Sequence, residues 1–353
     1  MKSLKKKHVV SLILLGMILF VLSGCSNKNE KPKEAFTPTV TVTPNEQVTN
    51  DDTSDGKKDS DYGEVVIQNG DRTLVFTKMP SKVITANMAA TENMLLLGLK
   101  DHIVGRNVRT NPAEEPLPEI ETDFYSIPEI ERTHELAIAN EADLMVGQIS
   151  SFKEDTWGSF EMFADKGVNC YVISGTIAED ETIQNVYDDI EALGKIFKVE
   201  DKADKLISDA KDVVGGVTTK TDTIHDNDKL KVFVMDSFKG NEIYTTSKGL
   251  ESNLIELAGG KNVTRNMADS RWFNTSIETI VDTNPDVIIF NDYGTQSIQE
   301  KIDFIKTNPA LQDVPAVANE NFITISLVQV MQDIRAASAC EFFAKSFYPQ
   351  LFE

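Results

Sequence analysis

Residues 179–216 read EDETIQNVYDDIEALGKIFKVEDKADKLISDAKDVVGG, and this stretch decides the fold. Its apolar residues recur at intervals of three and four, which predicts one apolar stripe along a helix. The acidic residues 179–181 come just before the first apolar position, where negative charge favours the start of a helix. Gly215 and Gly216 predict its end. A helix of this length, either continuous or broken near residues 198–201, divides the chain into two halves of similar size.

The two halves have similar sequences. Residues 135–146 (ELAIANEADLMV) align without gaps to residues 278–289 (ETIVDTNPDVII), and each predicts a helix, a turn, an aspartate and a buried strand. Strands that alternate with helices indicate parallel βαβ units, which bind ligands at the carboxyl ends of the strands. The predicted fold class is therefore α/β, with two Rossmann-like lobes joined by one long backbone helix. A ligand cleft is expected between the lobes.

The N-terminus predicts export and a membrane anchor. Three lysines, residues 5–7, precede an apolar run over residues 9–22 that is short for a membrane span. The following LSGC resembles the bacterial lipoprotein box, which implies that a signal peptide of residues 1–24 is removed and that Cys25 carries the lipid. The protein would then be held on the outer face of the cell membrane by that lipid. An ordinary secretory signal with a chance cysteine is the alternative.

Four further segments follow the signal peptide. Residues 25–62 are rich in Thr, Asn, Asp, Lys and Pro, which predicts a disordered tether. The remaining boundaries place an N-terminal α/β lobe at 63–177, the connecting helix at 178–224 and a C-terminal α/β lobe at 225–353. The organisation therefore predicts a folded binding module that stands away from the membrane.

The balance of charge argues against a nucleic-acid partner. The chain contains 56 acidic residues against 35 lysines and arginines, a formal net charge of −21. Such a surface repels nucleic acid and anionic lipid head groups.

Two cysteines remain after Cys25. Cys170 lies in a strand-like apolar run and Cys340 in a helix-like one. They could pair in an oxidising compartment, but apolar surroundings favour two buried free thiols.

Short motifs on both sides of the long helix carry a family resemblance. They are KVITANMAATE at 82–92, LGLKDHIVG at 97–105, NEADLMV at 140–146, LAGGKNV at 257–263, NPDVII at 284–289 and NPALQDVPAV at 308–317. Their order and spacing, over residues 64–350, resemble the helical-backbone substrate-binding lipoproteins of ABC importers for ferric siderophores, haem and cobalamin. The resemblance implies a monomeric binding protein that is no enzyme and needs no cofactor. It would capture an iron chelate, with a ferric siderophore as the main expectation and haem or cobalamin as alternatives. Its partner would be a permease dimer with a cytoplasmic ATPase.

Arginines are the expected anchors for an anionic chelate, because the guanidinium stays charged and forks onto carboxylate or catecholate oxygens. Arg106 and Arg109 follow a predicted strand, and Arg271 lies in a predicted loop before a helix. Arg335 stands where members of the resembled family often carry an arginine, at the start of the last helix. The alternative for each is a surface or salt-bridged arginine.

Aromatic and thioether groups at strand ends would pack against the organic part of a chelate. The candidates are Met88, Trp157, Trp272, Tyr293 and Met331, and Gln148 is a candidate polar contact. Trp272 is predicted in a loop, where core packing is a less ready explanation. Trp157 fits the core of a lobe equally well.

The resembled family docks onto its permease through one acidic residue on each lobe. Glu154 is the candidate in the first lobe. In the second lobe the expected acid falls at Asn253, so its neighbours Glu251 and Glu256 are the candidates. A solvated carboxylate is the alternative for all three.

Two other classes of function fit the sequence less well. Direct metal capture would need a cluster of histidines, but only three follow the signal peptide. An exported enzyme finds no support in the common nucleophile, zinc or phosphate-binding motifs, although the paired carboxylates of a glycosidase stay open in so acidic a chain. Within the binding class, haem would take Tyr293 or Met331 as an axial ligand.

Overall fold

The computed structural model describes residues 62–111 and 113–353. The predicted signal peptide, the proposed lipid site at Cys25 and all but the last residue of the predicted tether lie outside the described residues. Those described belong to one compact unit. None of their helices combines the length and the apolar character needed to cross a bilayer.

The first lobe begins with an antiparallel hairpin of β1 (Val65–Asn69) and β2 (Arg72–Phe76), as the sequence predicts. Gly70 takes a positive φ of 67° in the turn, which suits glycine. Five parallel strands follow: β3 (Val83–Thr85), β4 (Ile103–Asn107), β5 (Glu129–Ile130), β6 (Leu144–Gly147) and β7 (Asn169–Val172). Their order in the sheet is β5-β4-β3-β6-β7. The central strands β3 and β6 are buried at every position, because helices cover both faces of a parallel sheet.

Four helices accompany this sheet: α1 (Met88–Leu96), α2 (Glu121–Ser126), α3 (His134–Ala139) and α4 (Phe160–Ala164). The sequence pattern predicts that the last of them begins at Thr156, which is wrong. Gly158 has a φ of 125°, outside the helical range, and the Ser159 side chain accepts a hydrogen bond from the Met162 amide. That cap starts the helix at Phe160.

The connecting segment is two helices, α5 (Ile183–Phe197) and α6 (Glu200–Thr221). The break falls at Lys198, whose φ of 55° is left-handed and ends α5. Gly215 and Gly216 do not end the second helix, contrary to the sequence prediction. They cost it roughly 1 kcal/mol each relative to alanine, but buried Val214 and Val217 hold this turn on the core.

The second lobe contains a parallel sheet and an antiparallel one. The parallel sheet has the order β11-β8-β13-β14 and consists of β8 (Lys231–Met235), β11 (Lys261–Asn262), β13 (Val287–Asp292) and β14 (Phe322–Ser326). The antiparallel sheet has the order β12-β10-β9 and consists of β9 (Ser237–Lys239), β10 (Glu242–Thr246) and β12 (Trp272–Ser276). The sequence pattern does not predict this second sheet.

Five helices are described in the second lobe. They are α7 (Leu250–Leu257), α8 (Ile277–Thr283), α9 (Ile298–Thr307), α10 (Pro315–Ala318) and α11 (Ala336–Phe347). The predicted α/β fold class is therefore confirmed, with two helices in place of one between the lobes.

Two aligned aspartates show the internal repeat in three dimensions. The Asp143 carboxylate accepts hydrogen bonds from the amides of Ser81 and Lys82, at 2.9 and 3.0 Å. The Asp286 carboxylate accepts one from the Lys231 amide at 2.8 Å. Each aspartate thus precedes one strand of its lobe and fixes the start of the neighbouring strand.

Three apolar clusters form the core. One runs through both lobes, because it joins side chains of α1, α5, α6, α7 and α11, such as Met94, Ile190 and Phe343. The other two lie on the far sides of the sheets, around Phe163 in the first lobe and Phe290 in the second. A shared core resists large movements of the lobes, because a packed interior deforms little.

The two cysteines are free and buried, as predicted. Cys170 belongs to a cluster inside the first lobe, whereas Cys340 belongs to the shared cluster. Burial raises the pKa of the Cys340 thiol to about 12, so this group is an inert core side chain at neutral pH.

Candidate functional site

A cavity of about 140 Å³ lies between the lobes, at the carboxyl ends of their strands. The first lobe lines it with Asn87, Met88, Ala89, Glu114 and Gln148, and the second with Tyr293, Leu327, Val328 and Met331. Four of the sequence-predicted ligand contacts therefore come together here, two from each lobe: Met88, Gln148, Tyr293 and Met331. A smaller cavity of about 20 Å³ adjoins it and is lined in part by Arg109.

The first-lobe wall is built where β3 passes into α1. Asn87 caps α1, since its side-chain oxygen accepts a hydrogen bond from the Ala90 amide at 3.2 Å. The cap fixes the first helical residue, Met88, at the cavity wall. Asn87 was not among the sequence-predicted ligand contacts. A polar residue shortly after a buried strand could have indicated it.

Hydrogen bonds join the lobes beside the cavity. Gln148 donates to the side-chain oxygen of Gln332 at 2.9 Å, and Gln332 donates to the Glu181 carboxylate at 2.6 Å. Ser326 also donates to the carbonyl of Ala113 across the lobes, at 2.8 Å. Burial raises the pKa of Glu181, and the nearby Arg271 and the Gln332 hydrogen bond oppose that shift. These contacts hold the lobes close together.

Arg106 is a structural residue, contrary to the sequence prediction. It is buried, donates to the carbonyl of Phe124 at 3.1 Å and pairs with Glu129 at 2.8 Å. Its guanidinium stacks on the Phe124 ring, 4.2 Å from the ring centre. Such an arginine is committed inside the first lobe and lines neither cavity.

Arg335 is likewise not free for a ligand. It forms an ion pair with Glu92 of the first lobe and lies 3.4 Å from the Asp333 carboxylate, and both acids are completely buried. Burial raises the pKa of Asp333 well above its usual value. The hydrogen bond with Glu92 and the negative charge of that acid raise it further. The arginine therefore neutralises buried charge at the lobe interface.

Arg271 and Arg109 also have acidic partners. The Arg271 guanidinium lies 3.7 Å from Glu181, and Arg109 pairs with Glu115 at 2.6 Å. Of these two arginines, only Arg109 lines a cavity, the smaller one. The prediction that several arginines converge on the ligand is therefore weakened by their pairing.

Arg132 is one of three arginines, with Arg72 and Arg265, that are not among the sequence-predicted ligand contacts. It is exposed, and within the described part of the chain it makes neither an ion pair nor a side-chain hydrogen bond. Burial raises the pKa of the Tyr293 phenol, as do Glu114 and Asp236, whereas the positive charge of Arg132 acts in the opposite direction. The charge of Arg132, on the first lobe, thus acts on Tyr293 of the second, which lines the cavity.

The two tryptophans differ from expectation. Trp157 is completely buried in the first-lobe cluster, so it is a core residue and not a ligand contact. Trp272 begins β12 instead of lying in a loop, is half-buried and stacks on Tyr244 with ring centres 5.7 Å apart. It does not line the cavity.

The three candidate docking acids have different environments. Glu154 is exposed. Glu251 is buried, accepts a hydrogen bond from Asn291 at 2.9 Å, and has a pKa raised by burial to about 8, so the prediction that it docks is wrong. Glu256 is exposed but lies 3.1 Å from the Arg265 guanidinium. Asn253, at the position of the expected acid, accepts a hydrogen bond from the Ile183 amide at the start of α5.

No group of three or more His, Cys, Asp or Glu side chains is arranged to hold a metal ion among residues 62–111 and 113–353. The cavity instead offers thioether and aliphatic surface, two amide side chains, one phenol and one carboxylic acid. Burial raises the pKa of that acid, Glu114, whereas Arg109 and Arg335 lower it. Such a wall suits an organic molecule with a few polar groups.

Comparison with known proteins identifies the fold and its relatives. Residues 168–326 match the model of a periplasmic binding protein family. An uncharacterised ABC transporter substrate-binding lipoprotein of Bacillus subtilis, YvrC, is 25% identical over 351 residues, which cover 99% of each chain.

Solved structures give the same result. A periplasmic binding protein from Veillonella parvula has a TM-score of 0.72 and 26% identity, over 81% of this chain and 98% of that one. An ABC-type Fe³⁺-hydroxamate transport system protein from Saccharomonospora viridis has a TM-score of 0.68 over 80% of this chain and 98% of that one; at 20% identity it supports the fold alone. These matches show that the chain is similar to periplasmic binding proteins, as its sequence motifs indicate.

Proposed function

We propose that this protein is the extracytoplasmic solute-binding lipoprotein of an ABC importer and that it captures a ferric siderophore. The observation that carries the proposal is a cavity to which both lobes contribute, with Met88 and Gln148 on one side and Tyr293 and Met331 on the other. In this proposal a chelate bound there is delivered to a permease dimer with its ATPase. Cys25 holds the protein at the outer face of the membrane through a lipid.

The chemistry of the cavity supports an organic chelate over a bare ion. The two methionines, Leu327 and Val328 offer adaptable apolar surface to a ligand scaffold. Asn87 and Gln148 offer both hydrogen-bond donors and acceptors. The positive charge of Arg132 acts on the cavity residue Tyr293, which favours a chelate that carries negative charge.

The cavity is small for a chelate, so in this proposal the lobes separate slightly when one binds. Small-molecule sites usually measure roughly 300–1,000 Å³, and this one measures about 140 Å³. The hydrogen bond between Gln148, which lines the cavity, and Gln332 joins the two lobes. Because the lobes share an apolar cluster, we expect a small opening. Small-angle scattering with and without ligand would contradict this if the radius of gyration changed by several ångströms.

Haem is the second candidate, and Tyr293 favours it. The phenol is 40% exposed at the cavity and is flanked there by the apolar Leu327, Val328 and Met331. A tyrosine oxygen is a known axial ligand of haem iron, and the apolar side chains would pack on the macrocycle. A Soret band that shifts on binding and is altered by Tyr293→Phe would establish this alternative.

Titration of residues 26–353 with a ferric trihydroxamate, a ferric tricatecholate, haem and cobalamin tests the proposal. Intrinsic tryptophan fluorescence and calorimetry report binding. We expect submicromolar binding of one ferric siderophore, weakened about tenfold by Met88→Ala or Met331→Ala, because each removes packing contacts at the cavity. Met267→Ala is the matched control, since Met267 is exposed outside the cavity. Binding of haem or cobalamin alone would change the proposed ligand. The absence of binding to any of the four compounds would contradict the proposal.

A further inference from the structure

Lys301 is a fully buried lysine in the second lobe, and its position needs an explanation. It lies in the first turn of α9, where a capping box between Ser297 and Glu300 fixes the start of the helix. An unpaired buried ammonium group costs several kcal/mol, so such a lysine needs partners. Its partners here are carbonyl oxygens of the loop that leads into the cavity.

The Lys301 ammonium bridges the end of β13. Its Nζ donates to the carbonyl of Asn291 at 2.5 Å and to the carbonyl of Tyr293 at 3.4 Å. Those carbonyls stand on either side of the point where the chain leaves the sheet. Gly294 then takes a left-handed φ of 75°, so the chain turns sharply directly after Tyr293.

A second buried contact fixes the other side of this turn. The Asn291 side chain is buried and donates to the Glu251 carboxylate of α7 at 2.9 Å. Asn291 is therefore held by α7 through its side chain and by α9 through its carbonyl. The carbonyl of Tyr293, two residues further on, also has Lys301 as its contact, and the Tyr293 side chain lines the cavity.

We propose that Lys301 is a positioning residue for the ligand site, because its Nζ holds the 291–294 turn in the conformation that presents Tyr293 to the cavity. The inference rests on the proposed function only for the role of Tyr293 in binding. The positioning itself is a property of the ligand-free protein. Buried hydrogen-bonded groups of this kind restrict a loop to one arrangement, since leaving the carbonyls unsatisfied is costly.

The first test needs no ligand. Protein labelled with 3-fluorotyrosine gives one ¹⁹F signal for each of the seven tyrosines, and Tyr293→Phe identifies the signal of Tyr293. In Lys301→Met we expect the Tyr293 signal to shift towards that of a free tyrosine while the other signals stay in place. Lys306→Met is the matched control, because Lys306 is an exposed lysine on the same helix. An unchanged Tyr293 signal, or an equal change in all signals, would overturn the proposal.

If Lys301→Met does not fold, Lys301→Gln takes its place. The shorter amide can keep one hydrogen bond to a carbonyl, so we expect the same shift of the Tyr293 signal at reduced size. A folded Lys301→Gln protein with the wild-type Tyr293 signal would overturn the proposal.

The second test is a double-mutant cycle with the tightest binder among the ferric trihydroxamate, the ferric tricatecholate and haem. We expect Lys301→Met to weaken binding about tenfold in the wild-type background and hardly at all in the Tyr293→Ala background. A full tenfold loss in both backgrounds would contradict action through Tyr293. If the ¹⁹F shift occurs but Tyr293→Ala binds like wild type, the positioning stands and the proposed role of Tyr293 in capture fails.

Discussion

Gln148 of the first lobe donates a 2.9 Å hydrogen bond to Gln332 of the second, directly beside the cavity. Gln332 in turn donates a hydrogen bond to the carboxylate of Glu181, which is buried and precedes α5. A cavity residue is thereby linked to the segment that joins the lobes. Since Gln148 lines the cavity, a ligand that takes the N–H bonded to Gln332 as its partner breaks this link between the lobes.

Gln332→Leu tests this link. We expect the free energy of unfolding to fall by about 1–3 kcal/mol, because the buried Glu181 carboxylate loses a hydrogen-bond donor. Urea denaturation at pH 7 measures the change. Gln299→Leu is the control, since Gln299 is exposed and bonds only to the neighbouring Asp303 on the same helix. Equal stability of the two variants would show that the link contributes nothing.

Arg335→Met tests whether this arginine serves the fold or the ligand. We expect a loss of about 3–5 kcal/mol in the free energy of unfolding, because Glu92 and Asp333 are left buried without their cation. The folded fraction should keep its affinity for the ligand. The exposed Lys345→Met on α11 should change neither quantity by much. A stable variant with weakened ligand binding would show that Arg335 contacts the ligand after all.

The buried Glu251 makes stability depend on pH. Burial raises its pKa from about 4.5 to about 8, so between these values the folded protein keeps a proton that the unfolded chain releases. Stability therefore falls as the pH rises through this range, by roughly 3 kcal/mol between pH 5 and pH 8 from this group.

Glu251→Gln should remove that decline. The neutral amide cannot ionise, so we expect urea denaturation to show a smaller difference between pH 5 and pH 8 and a more stable protein at pH 8. Glu242→Gln in β10 should keep the wild-type profile, because Glu242 is exposed. A decline of wild-type size in Glu251→Gln would mean that other buried acids, such as Asp189, govern the pH dependence.

Arg132→Ala should distinguish ligands by charge. Arg132 lacks an acidic partner within the described residues and acts on the cavity residue Tyr293, so its charge is available to a bound anion. We expect affinity for an anionic ferric tricatecholate to fall about fivefold, with little change for an uncharged ferric trihydroxamate. Lys205→Ala, an exposed lysine of α6, is the control. Equal losses for both chelates would show that the residue acts through shape, not charge.

Much of the fold could be predicted from the sequence because local patterns of apolar residues indicate its strands and helices. Runs such as residues 232–235 and 287–290 are apolar at every position, which a strand buried on both faces requires. The antiparallel sheet escaped prediction because its strands are short, half-exposed and polar in part, as in Trp272–Ser276. The helix continued past Gly215 and Gly216 because packing of neighbouring valines overrides local propensity.

The candidate site was also predicted only in part. Met88, Gln148, Tyr293 and Met331 were found because each lies at or shortly after the carboxyl end of a strand, and these ends face one cleft. The arginines were misjudged because pairing is invisible in a sequence. Arg106 and Arg335 look like Arg132 until the acids that approach them from distant segments are known.

The sequence by itself determined the α/β class, the order of its elements, the two related halves and the family resemblance, because these follow from periodicity, turn residues and motif spacing along the chain. Only the tertiary structure decided which charged side chains pair within the protein and which remain available to a ligand. Glu92 meets Arg335, and Lys301 meets the carbonyl of Tyr293, through contacts that exist only when the chain is folded. The burial that accompanies these contacts sets the free energy of each charge, and no local pattern encodes it.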